Sequence, residues 1–125
     1  LYSKYRLNEA LMTAFKLFTD EFSGWYLEMV KPAYQAPIDR QTLQATLHIF
    51  EDLMKVIHPF MPFITEEIYQ HIADRAEGES IMTSVLTLDA PTEADAAILA
   101  SMEQTKQTIS GVRAIRQSKN IAQRE

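Results

Sequence analysis

The C-terminal end of the chain carries its clearest chemical signal, a run of basic side chains without acidic ones. The five cations between Gln104 and Arg124 are Lys106, Arg113, Arg116, Lys119 and Arg124. Arg113 and Arg116 are three residues apart, so in a helix they lie on one face. Lysine and arginine attract phosphates and release counterions from nucleic acid, which makes this run a candidate nucleic-acid surface. The alternatives are a solvated face with surface ion pairs or, for Lys119 and Asn120, an ordinary helix C-terminus.

The N-terminal end alternates aromatic rings with cations. Tyr2 and Tyr5 lie beside Lys4 and Arg6. Single-stranded RNA loops are recognised mainly through bases that stack on aromatic rings or on arginine planes. Tyr5 and Arg6 are therefore candidate RNA contacts, with a frayed chain end as the alternative. The complete candidate RNA-binding set is Tyr5, Arg6, Arg113, Arg116, Lys119 and Asn120.

Motifs for catalysis or for metal binding are absent from the sequence. Glu67 and His71 are four residues apart and have no second copy, whereas di-iron bundles use paired Glu-x-x-His motifs. The zinc motif His-Glu-x-x-His, a glycine-rich phosphate loop and a Gly-x-Ser-x-Gly turn do not occur. We expect no catalytic residue, metal or cofactor within this chain.

Hydrophobic periodicity predicts an all-α fold with four helices. Apolar residues spaced three and four apart from Leu7 to Met29, including Phe15 and Phe22, predict a first helix over 6–31 that ends before Pro32. Gly24 interrupts it and is expected to admit a close contact with another helix. The second helix should begin at an N-cap, Asp39, and end at His58.

The remaining helices follow from the same signals. The third is predicted from Pro62 to Arg75, and the fourth begins at an N-cap, Thr92, and ends near Asn120. Residues 74–91 between them are predicted to be irregular, with extended segments at 80–82 and 85–88. The predicted inward side chains are Phe63, Ile64, Ile68 and Ile72 in the third helix, and Ile98, Met102, Ile109, Val112 and Ile115 in the fourth.

The sequence from His58 to Gln70, HPFMPFITEEIYQ, is predicted to be a buried corner between two helices. His58 precedes a proline, which disfavours the α conformation, and we expect it to terminate the helix through a hydrogen bond. Thr65, Glu66 and Glu67 are expected to serve the free N–H groups at the next helix's N-terminus.

An antiparallel, up-down-up-down bundle would sort charge between its two ends. One end would collect the cations, namely Lys4, Arg6, Lys55, His58, Arg113, Arg116, Lys119 and Arg124. The other would collect Asp39, Asp74, Glu77, Glu79, Asp89, Glu93 and Asp95. A chain with a formal net charge of −5 would then present a basic pole to RNA.

Three stretches in order carry a family resemblance. HPFMPFITEEIYQ, the earlier Trp25–Pro32 (WYLEMVKP) and the later Val112–Ile121 (VRAIRQSKNI) together span most of the chain. This set resembles the anticodon-binding helical domain of class I aminoacyl-tRNA synthetases, and is most similar to the valyl-tRNA synthetase version. The isoleucyl and leucyl versions are the near alternatives, and a helical protein-interaction bundle is the more distant one.

The resemblance implies a division of labour within a longer protein. It implies that residues 1–125 are a single anticodon-binding domain, a fragment that holds the anticodon region of a tRNA. Its partners would be that tRNA and the catalytic and C-terminal domains of the same parent chain. ATP, Mg²⁺ and the joining of valine to tRNA would belong to the catalytic domain, whose signatures are missing here.

Composition sets wider limits on the class of protein. The sequence has 125 residues, no cysteine and no apolar run of about 18 residues, so disulfides and a membrane span are not expected. We also find no secretory signal, which suits a cytoplasmic protein. The chain starts within a helical pattern and without methionine, as expected of a fragment.

Overall fold

The computed structural model describes residues 4–88 and 90–122. Every regular element in these ranges is helical, so the all-α prediction is confirmed. The elements are α1 (Leu7–Lys16), a π-helical segment (Leu17–Tyr26), α2 (Leu27–Val30), α3 (Arg40–Ile57), α4 (Pro62–Ile72), a 3₁₀ turn (Ile81–Thr83) and α5 (Glu93–Ser118). The chain forms two compact units that divide between Leu86 and Thr87.

The first rod, residues 7–30, joins α1, the π-helical segment and α2 without a break, because the backbone stays helical at Leu17 and Leu27. It ends where Lys31 becomes extended before Pro32, as predicted. The π-helical segment was not predicted, and it changes the role of Gly24. A Cβ added there would lie 3.3 Å from the Thr19 carbonyl oxygen, so the close neighbour is the rod's own backbone.

The core of the first unit is formed where the rod, α3 and α4 meet. Its buried side chains are Phe22, Leu53, Met54, Tyr69 and Ile81. Phe22 stacks on Phe50 with ring centroids 5.8 Å apart, and Tyr26 hydrogen-bonds Thr46 at 3.2 Å. Because later rod residues meet earlier α3 residues, the rod and α3 run antiparallel.

The buried face of the rod differs from the predicted stripe. Ala10, Ala14 and Phe22 are buried, whereas Leu7, Phe15 and Met29 are largely exposed. The stripe was drawn with a uniform α-helical period. Ten residues of π-helix have a wider turn, so one period cannot describe both halves of the rod.

The start of α3 confirms one prediction, and the corner between α3 and α4 corrects others. Asp39 caps α3 through the Thr42 N–H at 2.9 Å, and α3 ends at Ile57. His58 nevertheless keeps an α-type backbone, despite the proline that follows it. Thr65 is buried and donates its hydroxyl to the Met61 carbonyl at 2.8 Å, so its side chain does not cap the helix N–H groups.

Two apolar side chains of the corner face solvent, contrary to the prediction. Phe63 is 91% exposed and Ile64 is about half exposed. The buried positions of α4 are Thr65 and Tyr69. Phe63 precedes Thr65 by two residues, which at 3.6 residues per turn places it about 200° around the helix, on the far side.

The chain after α4 folds back and hydrogen-bonds to that helix. α4 ends at Ile72, three residues before the predicted Arg75, and Ala73 is extended. Gln70 donates to the Glu79 carbonyl at 2.6 Å, and a Glu66 carboxylate oxygen accepts from the Ser80 hydroxyl at 2.7 Å. These bonds hold the neighbouring residues so that Ile81 packs in the core. Residues 81–83 form a 3₁₀ turn rather than the predicted extended segment.

The second unit contains α5, whose start was predicted correctly. Thr92 and Asp95 form a capping box, in which each side chain accepts from the other's backbone N–H. α5 buries no residue completely, and Ile98, Val112 and Ile115 of its predicted inward face are exposed. Met102 and Ile109 of that face are half-buried.

Candidate nucleic-acid interface

The N-terminal pair of candidates lies at the start of α1. Tyr5 is 89% exposed and has a positive φ of 53°, so its ring stands clear of the rod. Arg6 is the N-cap residue of α1, and its guanidinium contacts a Glu9 carboxylate oxygen at 2.5 Å. The ring is accessible for stacking, while the Arg6 charge is partly offset. Tyr2 lies outside the described residues.

Lys55 was predicted to belong to the basic pole, but it forms ion pairs with two carboxylates of α3 inside the first unit. Its ammonium group lies 2.9 Å from a Glu51 carboxylate oxygen and 3.4 Å from one of Asp52. Burial lowers the pKa of Lys55, but the hydrogen bond and charge of Glu51 outweigh it, so the pKa is raised. Lys55 is therefore held in an ion network with only 13% of its side chain exposed.

The same network contains Arg75, which sequence reasoning did not single out. Its guanidinium lies 2.6 Å from Glu51 and 3.7 Å above the centre of the Tyr69 ring. It also donates to the Tyr69 carbonyl at 3.1 Å, near the end of α4. With 12% of the side chain exposed, Arg75 ties α3 to the end of α4. The partners lie 24 residues apart, so no local pattern could have indicated the pair.

His58 forms a hydrogen bond, as predicted, and its partner is Thr65. The His58 Nδ1 and Thr65 Oγ1 atoms lie 2.7 Å apart. Because the single Thr65 hydroxyl proton is directed at the Met61 carbonyl, we infer that His58 donates from Nδ1. This hydrogen bond connects the end of α3 to the first turns of α4.

The charges of α5 are separated along the helix. Glu93 and Asp95 occupy its first turn and Arg116 its last. Arg113 is exposed and Arg116 is half-buried. This order complements the helix dipole, since acidic groups are favoured at the N-terminus and cations at the C-terminus. A structural reason for the cations thus exists beside RNA binding.

Lys119 and Asn120 end α5. Lys119 is the C-cap residue, and Asn120 follows in the left-handed region with a φ of 54°. The Asn120 N–H donates to the Gln117 carbonyl at 3.1 Å, and the Ile121 N–H to the Arg116 carbonyl at 2.9 Å. This is the Schellman arrangement that closes many helices. The capping alternative is thus confirmed for Asn120, and direct RNA contact stays a prediction.

The structure brings the candidates together in two groups. Tyr5 and Arg6 are adjacent in the first unit, and Arg113, Arg116, Lys119 and Asn120 share the end of α5 in the second. A single pole joining both groups remains a prediction. Arg124, predicted for the basic end of the bundle, and Asp89, predicted for the acidic end, lie outside the described residues.

Within the described ranges, no three histidine or acidic side chains approach closely enough to hold a metal ion. None of the helices in those ranges is both long and apolar enough to cross a membrane.

Comparison with known proteins gives consistent results along the whole chain. The valine–tRNA ligase of Phocaeicola vulgatus is 58% identical over 125 residues, which cover all of this chain and 14% of that protein. The one from Bacteroides thetaiotaomicron is 56% identical over 127 residues, with the same coverage. The one from Nitratidesulfovibrio vulgaris is 38% identical over 120 residues, 94% of this chain and 14% of that protein.

The chain therefore spans 14% of the length of these relatives. The family described as the anticodon-binding domain of tRNA ligase matches residues 1–125 without a gap at either end. On that match, and with an all-helical structure consistent with it, the chain belongs to the anticodon-binding domain family of tRNA ligases.

Proposed function

We propose that this chain is the anticodon-binding module of a valine–tRNA ligase. The observation that carries the proposal is the family match over residues 1–125, together with relatives that are named valine–tRNA ligases. Its partner is the tRNA for valine, held at its anticodon region. The joining of valine to tRNA, with its need for ATP and Mg²⁺, belongs to a catalytic domain elsewhere in a longer cytoplasmic protein.

The module acts by positioning. A tRNA held firmly at its anticodon end presents its distant acceptor end to the catalytic domain in a restricted geometry, which lowers the entropic cost of reaction. Rigidity is what this role requires of the helices. The ion network of Glu51, Lys55 and Arg75 and the bond between His58 and Thr65 supply it in the first unit.

The RNA contacts of this module combine stacking with charge. Tyr5 offers an exposed ring next to Arg6, which suits an unpaired anticodon base. Arg113, Arg116 and Lys119 supply cations for phosphates at the end of α5. Arg113 is the leading candidate among them, because it is exposed and three residues from a second arginine.

A chimeric enzyme tests the proposal. This chain replaces the matching residues of the Phocaeicola vulgatus enzyme, and aminoacylation is measured with valine tRNAs altered only in the anticodon. We expect an altered anticodon to raise KM for tRNA by about ten-fold or more, since several base contacts are lost. The KM for valine should stay unchanged.

The unaltered Phocaeicola vulgatus enzyme, assayed with the same tRNAs, is the control. A chimera that remains active but no longer distinguishes anticodons would overturn the proposal. A preference for isoleucine or leucine anticodons would keep the module and change the amino acid.

A further inference from the structure

The end of α5 is a closed structural unit built from the residues of one sequence motif. Two backbone bonds define it, from the Ile121 N–H to the Arg116 carbonyl at 2.9 Å and from the Asn120 N–H to the Gln117 carbonyl at 3.1 Å. The Arg116 guanidinium also donates through Nη2 to the Ala122 carbonyl. Arg116 is therefore bound to the departing chain through both its backbone and its side chain.

Asn120 is the residue that makes this closure possible. Its φ of 54° lies in the left-handed region, which is costly for most side chains and is tolerated by glycine and asparagine. The turn brings the Asn120 and Ile121 N–H groups to the Gln117 and Arg116 carbonyls, which the Lys119 N–H also approaches. The two bonds that close the end of α5 therefore depend on the left-handed conformation of Asn120.

The last turn carries much of the positive charge of the helix. Arg116 lies within it, and Lys119 is the C-cap residue. If the closure opened, both side chains would lose their fixed placement, and a bound RNA would have to order them again. Ordering a long side chain at an interface costs free energy, so a preformed turn favours binding.

We propose that Asn120 is a positioning residue for tRNA binding, which acts through Arg116 and Lys119 and does not touch the RNA. The proposal rests on the proposed function and deepens it. It gives the asparagine of the stretch Val112–Ile121 (VRAIRQSKNI) a conformational role, which glycine can fill and alanine cannot.

Two substitutions separate conformation from contact. Asn120→Gly keeps the left-handed conformation and removes the side-chain amide, whereas Asn120→Ala removes both. Each variant of the 125-residue chain is titrated with an RNA hairpin bearing the anticodon loop of valine tRNA, and the last turn is probed by trypsin cleavage after Arg116 and Lys119. We expect Asn120→Ala to weaken binding by about three- to ten-fold and to speed cleavage. Asn120→Gly should stay within about two-fold of the unsubstituted chain in both.

Equal weakening by the two variants would overturn the proposal, because it would show a direct contact by the amide. Faster cleavage of Asn120→Ala without weaker binding would also overturn it, since the cap would then be irrelevant to RNA. An unsubstituted chain that does not bind the hairpin would count against the proposed function, and this proposal would fall with it. Trypsin cleavage distinguishes the two failures, because an unsubstituted chain that resists cleavage but does not bind has an intact helix end.

Discussion

Arg75 shows how one side chain can connect several parts of the first unit. It pairs with Glu51 of α3, lies over the Tyr69 ring of α4, and donates to the backbone at the end of that helix. Burial raises the pKa of Glu51, but the hydrogen bonds from Arg75 and Lys55 outweigh it, so the pKa lies below its ordinary value. The carboxylate is thus ionised at neutral pH and holds both cations.

Replacing Arg75 with methionine should therefore destabilise the protein. The substitution keeps much of the apolar contact and leaves Glu51 with Lys55 as its only ion partner among the contacts described. We expect the free energy of unfolding to fall by about 2–3 kcal/mol, measured by urea denaturation. Arg40→Met, at an exposed position in the first turn of α3, is the matched control and should change it by less than about 0.5 kcal/mol. Equal effects would show that Arg75 is an ordinary surface charge.

Glu66 is expected to make the folding stability of the first unit depend on pH. The hydrogen bond from Gln70, followed by that from Ser80, lowers its pKa below the ordinary value of 4.5. A lowered folded-state pKa means that the ionised form is favoured by folding. This stability is present above pH 4.5 and is lost as the pH falls through the folded-state pKa.

The stability difference between the unsubstituted chain and Glu66→Gln should accordingly shrink on acidification. We expect the variant to be less stable at about pH 7, and the difference from the unsubstituted chain to shrink steadily as the pH is lowered below 4.5, by chemical denaturation at each pH. The adjacent Glu67→Gln is the control, since Glu67 is exposed and lies 3.7 Å from His71, on the surface of α4. A difference that stays constant with pH would exclude the ionised carboxylate as the cause.

At the scale of elements, the two helical glycines occupy contrasting surroundings. A Cβ at Gly24, in the π-helical segment, would lie 3.3 Å from the Thr19 carbonyl oxygen, five residues earlier, whereas one at Gly111, in α5, would have no atom within 4 Å beyond its neighbours and the adjoining helical backbone. Alanine normally stabilises a helix interior relative to glycine by about 0.5–1 kcal/mol. We expect Gly111→Ala to show this gain in thermal unfolding.

Gly24→Ala should show no such gain or should lower the melting temperature, because the added methyl group presses on the rod's own backbone. The pair thus compares one chemical change in two helical geometries. A stabilisation of similar size at both positions would mean that the π-helical segment relaxes to an α-helix at no cost.

These elements also show which features a sequence can predict. Asp39 and Thr92 were predicted as N-caps because a cap depends on residues three apart. The existence of the helices follows from periodicity in the same local way. The π-helical segment was missed because the prediction assumed one α-helical period along the whole rod. The exposure of Phe63 was missed because packing against other elements decides which face of α4 is buried. Arg75 was missed for a similar reason, since its partner is 24 residues away.

The candidate site follows the same division. Sequence composition located the cations of α5, and the structure confirms their helical context. Composition alone did not indicate that Glu9 would pair with Arg6, or that Glu51 and Asp52 would pair with Lys55. Each of these pairs is three or four residues apart on one helix, so the spacing was present in the sequence, and counting charges without regard to helical spacing missed it.

At the scale of the whole molecule, net charge and local charge favour opposite outcomes for RNA binding. The chain has a formal net charge of −5, so its overall field repels RNA. Interactions beyond about 8 Å are largely screened at physiological ionic strength, which leaves the nearest cations to decide. Binding should therefore depend on where a positive charge lies more than on the total.

Two substitutions that remove the same charge test this. Arg113→Gln and Lys16→Gln each take one positive charge from the chain, the first in the basic run of α5 and the second from an exposed position at the end of α1. We expect Arg113→Gln to weaken binding of the anticodon hairpin and to reduce the slope of log K against log salt by about 0.7–0.9, because one phosphate contact is lost. Lys16→Gln should leave the slope unchanged, and equal losses from both would mean that net charge, not a local surface, governs the interaction.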